Sequence, residues 1–131
     1  MPDIIKESKR KVTYETISTD KTVVQQMEEE WPQMTAEFRR LQREQYELFL
    51  HKQHDYGPGN ISVGTQLQTK EEVKLSLTGL WFRMNDKIQR LKQLIVLGHK
   101  DTVGESEKDT FQDLSVYGII AQLVSNKVWG K

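Results

Sequence analysis

Asp109 and Asp113 are the residues of this chain whose spacing points most directly to chemistry. They stand four apart, so on a helix they lie one turn apart on the same face. At about 100° per residue they align with Tyr117, Ile120 and Val124, which predicts that both carboxylates face the core. Because an isolated buried charge is very costly, each must be paired, hydrogen-bonded or bound to a metal.

A magnesium ion is one partner that would satisfy this acidic pair. Hard cations prefer carboxylate oxygens, and Glu105 is placed either to add a third oxygen or to cap the helix. Ser106 suits the N-cap position in both cases. The alternative is that Asp109 stabilises the positive helix N-terminus while Asp113 pairs with a lysine or arginine. The spacing alone leaves both interpretations open.

The preceding helix carries a second group of charged residues whose spacing also puts them on one face. Arg83, Asp86, Lys87 and Arg90 have the spacing i, i+3, i+4 and i+7, so they share a face about 120° from the main apolar stripe. Cations around one carboxylate suit a site for phosphates and a metal, because arginine grips oxygen pairs bidentately. The alternative is a solvated face with internal ion pairs, although Phe82 on the flank favours an occluded cleft.

The strongest helix breaker in the chain is the segment Asp55-Tyr56-Gly57-Pro58-Gly59-Asn60. Its glycines allow close backbone approach and its tyrosine is able to stack on a base, although an ordinary turn needs similar residues. Lys52 lies just before it, on the apolar side of its helix. That lysine either snorkels to solvent or reaches an anionic ligand near the loop.

Composition limits the classes of function. The chain has 131 residues, which suits one domain, and its 19 basic and 19 acidic side chains cancel. No basic field therefore argues for a nucleic-acid or membrane partner. Since cysteine is absent, disulfides, thiolate metal sites and cysteine nucleophiles are excluded. We find no apolar signal region and no membrane-spanning stretch, so we expect a cytoplasmic protein.

The elements that position these residues are helical. Residues 1–22 are polar, with short alternation over Lys11–Ile17, and we interpret them as an N-terminal arm. Residues 23–131 form the predicted helical domain, with a restart at Trp31-Pro32. We predict an all-α bundle of three main helices, which run over residues 33–53, 69–97 and 106–127.

The middle helix carries its main apolar stripe from Leu77 to Ile95, but Leu75, Trp81 and Phe82 point elsewhere. A helix that is apolar nearly all round is either central in a bundle or buried between subunits. Hydrophobic residues make up only 36% of the chain, which is a lean core for one subunit. We therefore predict a homo-oligomer that completes the bundle.

Taken in order, three motifs resemble a phage and bacterial family called the nucleotide-modification-associated domain. The resemblance covers about residues 44–125, and it rests on Lys52–Asn60, Arg83–Leu91 and Glu105–Leu114 with Tyr117. It implies a role in nucleotide metabolism or modification in a bacterial or phage-infected cell.

More distantly, the chain is similar to the all-α nucleoside triphosphate pyrophosphatases of the MazG and dimeric dUTPase type. Those enzymes bind magnesium between helices, through a Glu-x-x-Glu and a Glu-x-x-Asp pair. This chain matches the second pair loosely, through Asp109 and Asp113. It departs from the first, where Asp86 stands among cations. That departure favours recognition of nucleotide phosphates over efficient hydrolysis.

These resemblances lead to a first hypothesis, a Mg²⁺-dependent phosphohydrolase acting on a nucleotide or deoxynucleotide. The alternatives are a protein that binds or sequesters a nucleotide without turnover, and a helical protein-interaction module. Asp86 and Asp113 would be catalytic, and the metal would be held by Asp86, Glu105, Asp109 and Asp113. The substrate would be bound by Lys52, Asp55, Tyr56, Asn60, Arg83, Lys87 and Arg90.

Overall fold

The structure is a computed structural model that describes the backbone of residues 14–131 and the side chains of residues 22–131. This part of the chain contains no strand, so the predicted all-α class is confirmed. Its helices are α1 (Tyr14–Glu30), α2 (Pro32–Tyr56), α3 (Gly59–Ser62), α4 (Lys70–Leu91) and α5 (Glu107–Ser125).

The amino-terminal region differs from the prediction. Helix α1 begins at Tyr14, so Tyr14–Ile17 are helical although they alternate like a strand, while Lys11–Thr13 lie outside the described residues. A helix satisfies its own backbone, whereas one strand without a sheet does not. The predicted start of the helical domain, residue 23, falls within α1. The predicted restart at Trp31-Pro32 is present, with proline in the first turn of α2.

Helix α4 begins with the signal that its sequence contains. The Thr69 hydroxyl accepts from the Glu72 backbone N–H at 3.1 Å, and the Glu72 carboxylate accepts from the Thr69 N–H at 3.3 Å. This reciprocal pair satisfies two amides that the first turn leaves free. After Leu91 the helix continues as a π-helical turn over Lys92–Val96. Gly98 follows with φ of +72°, a conformation that glycine adopts without strain.

The chain divides into two compact units between Glu44 and Gln45. In the first unit, an ion pair of 3.0 Å between Arg39 and Glu28 links α2 to α1. In the second unit, α4 packs against α5, and α3 packs on α4. The buried apolar side chains of the described residues all belong to the second unit, and they are Ile61, Leu67, Leu80, Ile120, Val124 and Trp129.

Many large apolar side chains of the second unit remain exposed. Leu75, Trp81 and Phe82 point away from the core as predicted. Ile88 and Ile95 are also about half exposed, although the periodicity places them on the main stripe. Contacts with α5 cover the first part of that stripe, where Leu80 is buried. The homo-oligomer stays a prediction that rests on these exposed groups.

None of the described helices combines the length and the apolar character needed to cross a membrane.

Candidate functional site

Helices α4 and α5 and the loop between them bring together a group of charged side chains, here called the ionic cluster. Lys87 is its centre, because its Nζ lies 2.9 Å from Glu105 Oε2 and 3.0 Å from Asp113 Oδ2. All three side chains are between one fifth and one third exposed. The members of the cluster are Lys87, Arg90, Asp101, Glu105 and Asp113.

Arg90 ties the loop before α5 to α4. Its Nη2 lies 3.0 Å from Asp101 Oδ1 and also donates to the Glu105 carbonyl. Its Nε donates to Thr110 Oγ1 at 3.3 Å, and that hydroxyl donates onward to Glu105 Oε2 at 3.1 Å. Thr110 is fully buried. The carboxylates of the loop are therefore held by groups of the protein itself.

The cluster shifts the pKa values of its members in the directions that these contacts predict. Partial burial lowers the pKa of Lys87, but hydrogen bonds to Glu105 and Asp113 outweigh it and hold that pKa above its ordinary value. The bond from Lys87 is the main cause that lowers the pKa of Glu105, against a smaller opposing effect of burial. The pKa of Asp101 is lowered first by the Val103 N–H and then by Arg90.

Beside the ionic cluster lies a cavity of about 120 Å³ between α2, α3, α4 and α5. Asp113 belongs to both, since it also lines the cavity, where Lys52 Nζ lies 3.6 Å from its Oδ1. Cations, amides and aromatic rings face one space here. Its other lining residues are Leu48, Phe49, Gln53, Tyr56, Asn60, Ile61, Arg83, Gln112, Val116, Tyr117 and Ile120.

The backbone around Asn60 is fixed from three directions. Arg83 Nη2 donates to the Asn60 carbonyl at 2.9 Å, and Ser76 Oγ donates to the Ile61 carbonyl at 2.6 Å. Trp129 Nε1 donates to the Pro58 carbonyl at 3.0 Å. These bonds come from distant parts of the sequence, so the position of Asn60 is a product of tertiary packing.

Two amide groups of the cavity are incompletely satisfied. Gln53 Oε1 and Asn60 Oδ1 are buried and accept no hydrogen bond from the described part of the chain. Buried acceptors of this kind are uncommon in folded proteins, because losing water without replacement costs about 1–3 kcal/mol. Each of these two oxygens therefore costs stability in the folded protein.

The prediction that Asp109 faces the core is wrong. Asp109 is exposed, and its N–H donates to the N-cap hydroxyl of Ser106 at 3.0 Å. Thr110 takes the inward position of that first turn, where it contacts Arg90. Asp113, one turn later, is half-buried, while Ile120 and Val124 are buried as predicted.

The structure does not gather the four predicted metal ligands at one point. Asp86 and Asp109 do not join the ionic cluster, whereas Glu105 and Asp113 both contact Lys87. No group of three or more His, Asp or Glu residues suited to a metal occurs in the described ranges. Of the four predicted metal ligands, Glu105 and Asp113 are thus the two that the fold brings together around one cation, Lys87.

The predicted substrate-binding residues fall into three groups. Lys52, Tyr56, Asn60 and Arg83 line the cavity together. Lys87 and Arg90 belong to the ionic cluster. Asp55 is exposed and lies 3.2 Å from His54 Nδ1, outside the cavity lining.

The patterns in the sequence did not reveal Gln53 and Gln112 in the cavity, or the roles of Asp101 and Thr110 in the cluster. A signal for Gln53 was present, because it shares a helix face with Phe49 and Tyr56 at spacings of four and three. The role of Asp101 had no signal, since the loop that carries it has no periodicity.

Comparison of the chain with protein-family models, with curated proteins and with solved structures finds no significant match.

Proposed function

We propose that this protein binds a nucleotide in the cavity. The observation that carries the proposal is that cationic and aromatic side chains line the same small space, with Lys52 and Arg83 beside Phe49, Tyr56 and Tyr117. A nucleotide has a flat apolar base and an anionic phosphate, so it needs both kinds of neighbour. Ligand sites are commonly apolar hollows with a few convergent polar groups.

The phosphate end of the ligand would lie near Lys52 and Arg83. Arg83 uses Nη2 to hold the Asn60 carbonyl, which leaves other donors of the guanidinium for phosphate oxygens. Lys52 is about half exposed and only weakly engaged with Asp113 at 3.6 Å, so its ammonium is free to turn toward an anion. A base would pack against the rings, with Tyr56 at the open side because it is 66% exposed.

A second candidate function is the Mg²⁺-dependent hydrolysis of the bound nucleotide. It is favoured by Glu105 Oε2 and Asp113 Oδ2, which converge on the single cation of Lys87. Magnesium is often bound by one or two carboxylates together with substrate phosphates. Glu105 and Asp113 would suit it if the Lys87 ammonium moved away from them. When bound, the metal would neutralise phosphate charge and polarise a water. Lys87, once displaced, would be left near the same phosphates.

Nucleotide binding is tested by calorimetry with mono-, di- and triphosphates of the common nucleosides. We expect saturable binding that falls at least about tenfold in Lys52→Met, because one charge-assisted phosphate contact is removed. Lys100→Met, an exposed lysine outside the cavity, is the matched control and should bind as the unchanged protein does. Absence of binding to every member of the panel would overturn the proposal.

Hydrolysis is tested by measuring release of phosphate or pyrophosphate from the bound nucleotide with Mg²⁺. We expect turnover to be lost in Asp113→Asn, which keeps the shape of the side chain and removes its charge. Tight binding without turnover would discard the hydrolase and leave the binding protein.

A further inference from the structure

Away from the cavity and the ionic cluster, one side of α4 carries an open groove, here called the lysine groove. Its volume is about 670 Å³. Its lining includes Lys70, Val73, Lys74, Leu77, Trp81 and Lys127, and no residue lines both this groove and the cavity. The lysine groove is therefore a surface separate from the proposed nucleotide site.

The floor of the lysine groove is apolar and follows α4. Val73, Leu77 and Trp81 stand four residues apart, so they lie on one face of the helix over about 12 Å. Val73 and Leu77 are partly buried, whereas Trp81 is 60% exposed. The Trp81 ring packs edge-on against Phe82, with ring centroids 5.4 Å apart. The exposed tryptophan therefore has a neighbour that favours one position of its ring.

The charge of the lysine groove has a single sign. Lys70 and Lys74 stand one turn apart on α4, and Lys127 follows α5, where its N–H donates to the Val124 carbonyl at 3.0 Å. All three lysines are exposed, and no acidic residue of the described chain lines the groove. None of the three forms an ion pair within residues 22–131. An apolar floor between such cations is complementary to apolar side chains flanked by carboxylates.

The backbone of an occupant is best satisfied here if the occupant is an α-helix. Extended peptides usually gain main-chain hydrogen bonds at the edge of a sheet, and the described residues contain no strand. A helix satisfies its own backbone and presents apolar side chains at spacings of three and four, which suit a groove that runs along α4. A flat lipid surface would meet the exposed Trp81 before it reached the partly buried Val73 and Leu77.

The amino-terminal residues of this chain do not have the charge that the lysine groove favours. Residues 1–13 carry four basic and two acidic side chains, so their net charge has the same sign as the lysines. We propose instead that the lysine groove binds an acidic amphipathic helix of a partner protein. The apolar face of that helix covers Val73, Leu77 and Trp81, and its carboxylates pair with the lysines.

The probe that tests this proposal is a fluorescein-labelled synthetic helix of about 15 residues, with leucines on one face and glutamates on both flanks. We expect saturable binding by fluorescence polarisation that weakens as salt is added, because exposed ion pairs are screened. One control peptide has lysines in place of the glutamates, and a second has the same residues in scrambled order. Both should bind at least about tenfold more weakly.

Matched variants connect the binding to the lysine groove. Trp81→Ala should weaken the complex at least about tenfold, because aromatic anchors dominate such contacts. Trp31→Ala removes another exposed tryptophan, outside the groove, and should leave the affinity unchanged. Lys74→Glu should weaken the complex at least about fivefold, whereas Lys100→Glu, at an exposed lysine outside the groove, should not. Far-UV circular dichroism should be the same in all four variants, since each replaced side chain is exposed.

Several results would overturn the proposal. Absence of saturable peptide binding, equal binding of the scrambled peptide, or unchanged affinity in both Trp81→Ala and Lys74→Glu would each do so. Binding of phosphatidylserine vesicles that Trp81→Ala abolishes, without peptide binding, would assign the surface to anionic lipid. A dimer in sedimentation that Trp81→Ala converts into monomers would assign it to a second copy of this chain. None of these results bears on nucleotide binding in the cavity.

Discussion

The ionic cluster and the cavity lie side by side and share Asp113, yet they differ in whether their polar groups have partners within the protein. In the ionic cluster the carboxylates of Asp101, Glu105 and Asp113 each have a cationic partner from the protein. In the cavity the amide oxygens of Gln53 and Asn60 have none among the described residues. The first arrangement stabilises the fold. The second costs stability in the folded protein, because a buried acceptor has lost its hydrogen bond to water.

The largest effect that tests this contrast is the loss of the centre of the ionic cluster. Lys87→Met leaves Glu105 and Asp113 half-buried with one cation fewer, so the free energy of unfolding should fall by about 2–3 kcal/mol. Urea denaturation gives the value. Lys52→Met is the matched control and should cost less than about 1 kcal/mol, because its pair is longer and more exposed. Equal losses of unfolding free energy in Lys87→Met and Lys52→Met would contradict the distinction between the ionic cluster and the cavity.

A somewhat smaller effect tests whether the hydrogen bond from Ser76 to the Ile61 carbonyl supports the cavity. Ser76→Ala leaves the buried Ile61 carbonyl without its donor, which should lower the free energy of unfolding by about 1–2 kcal/mol and weaken nucleotide binding. Thr78→Ala removes an exposed hydroxyl that bonds within the same helix, and it should change neither quantity measurably. Unchanged binding in Ser76→Ala, with stability reduced, would show that the site does not depend on this support.

An effect of opposite sign is expected in the cavity itself. Gln53→Met replaces a buried unpartnered acceptor with an apolar group, so the free protein should become more stable by about 1 kcal/mol. Thermal denaturation without ligand measures this, with Gln112→Met as the control that should show no gain. A loss of stability in Gln53→Met would mean that its oxygen is satisfied in solution, and the contrast with the ionic cluster would fail.

The smallest effect concerns pH. The folded-state pKa of Glu105 is lowered, so its contribution is present above the ordinary glutamate pKa of about 4.3 and is lost as pH falls through the folded value. The pKa of Lys87 is raised, so its contribution is present below about 10.4 and is lost as pH rises through the folded value. Stability should therefore decline on both sides of this window.

Thermal denaturation of Glu105→Gln against pH isolates the acidic side. We expect its decline below about pH 4 to be shallower than that of the unchanged protein, because one titrating carboxylate is gone. Identical acid profiles would show that Glu105 does not contribute to the pH dependence.

Local signals along the chain determined much of the helical framework. The Thr69 capping box, the Ser106 N-cap, the break at Pro32 and the stop at Gly98 all act through neighbouring residues, so the sequence contains the whole of their cause. The periodicity of α5 likewise identified Ile120 and Val124 as core residues.

Tertiary structure alone decided which charged residues meet. Periodicity placed Asp109 with Asp113 on the inward face, but Thr110 occupies the inward position of the first turn instead, where it accepts from Arg90. Asp101 joins Arg90 across a loop that has no period. The bonds that fix the backbone around Asn60 come from distant residues of α4 and the carboxyl-terminal segment. Such contacts depend on how the helices pack, and a pattern along one helix carries no information about its partner.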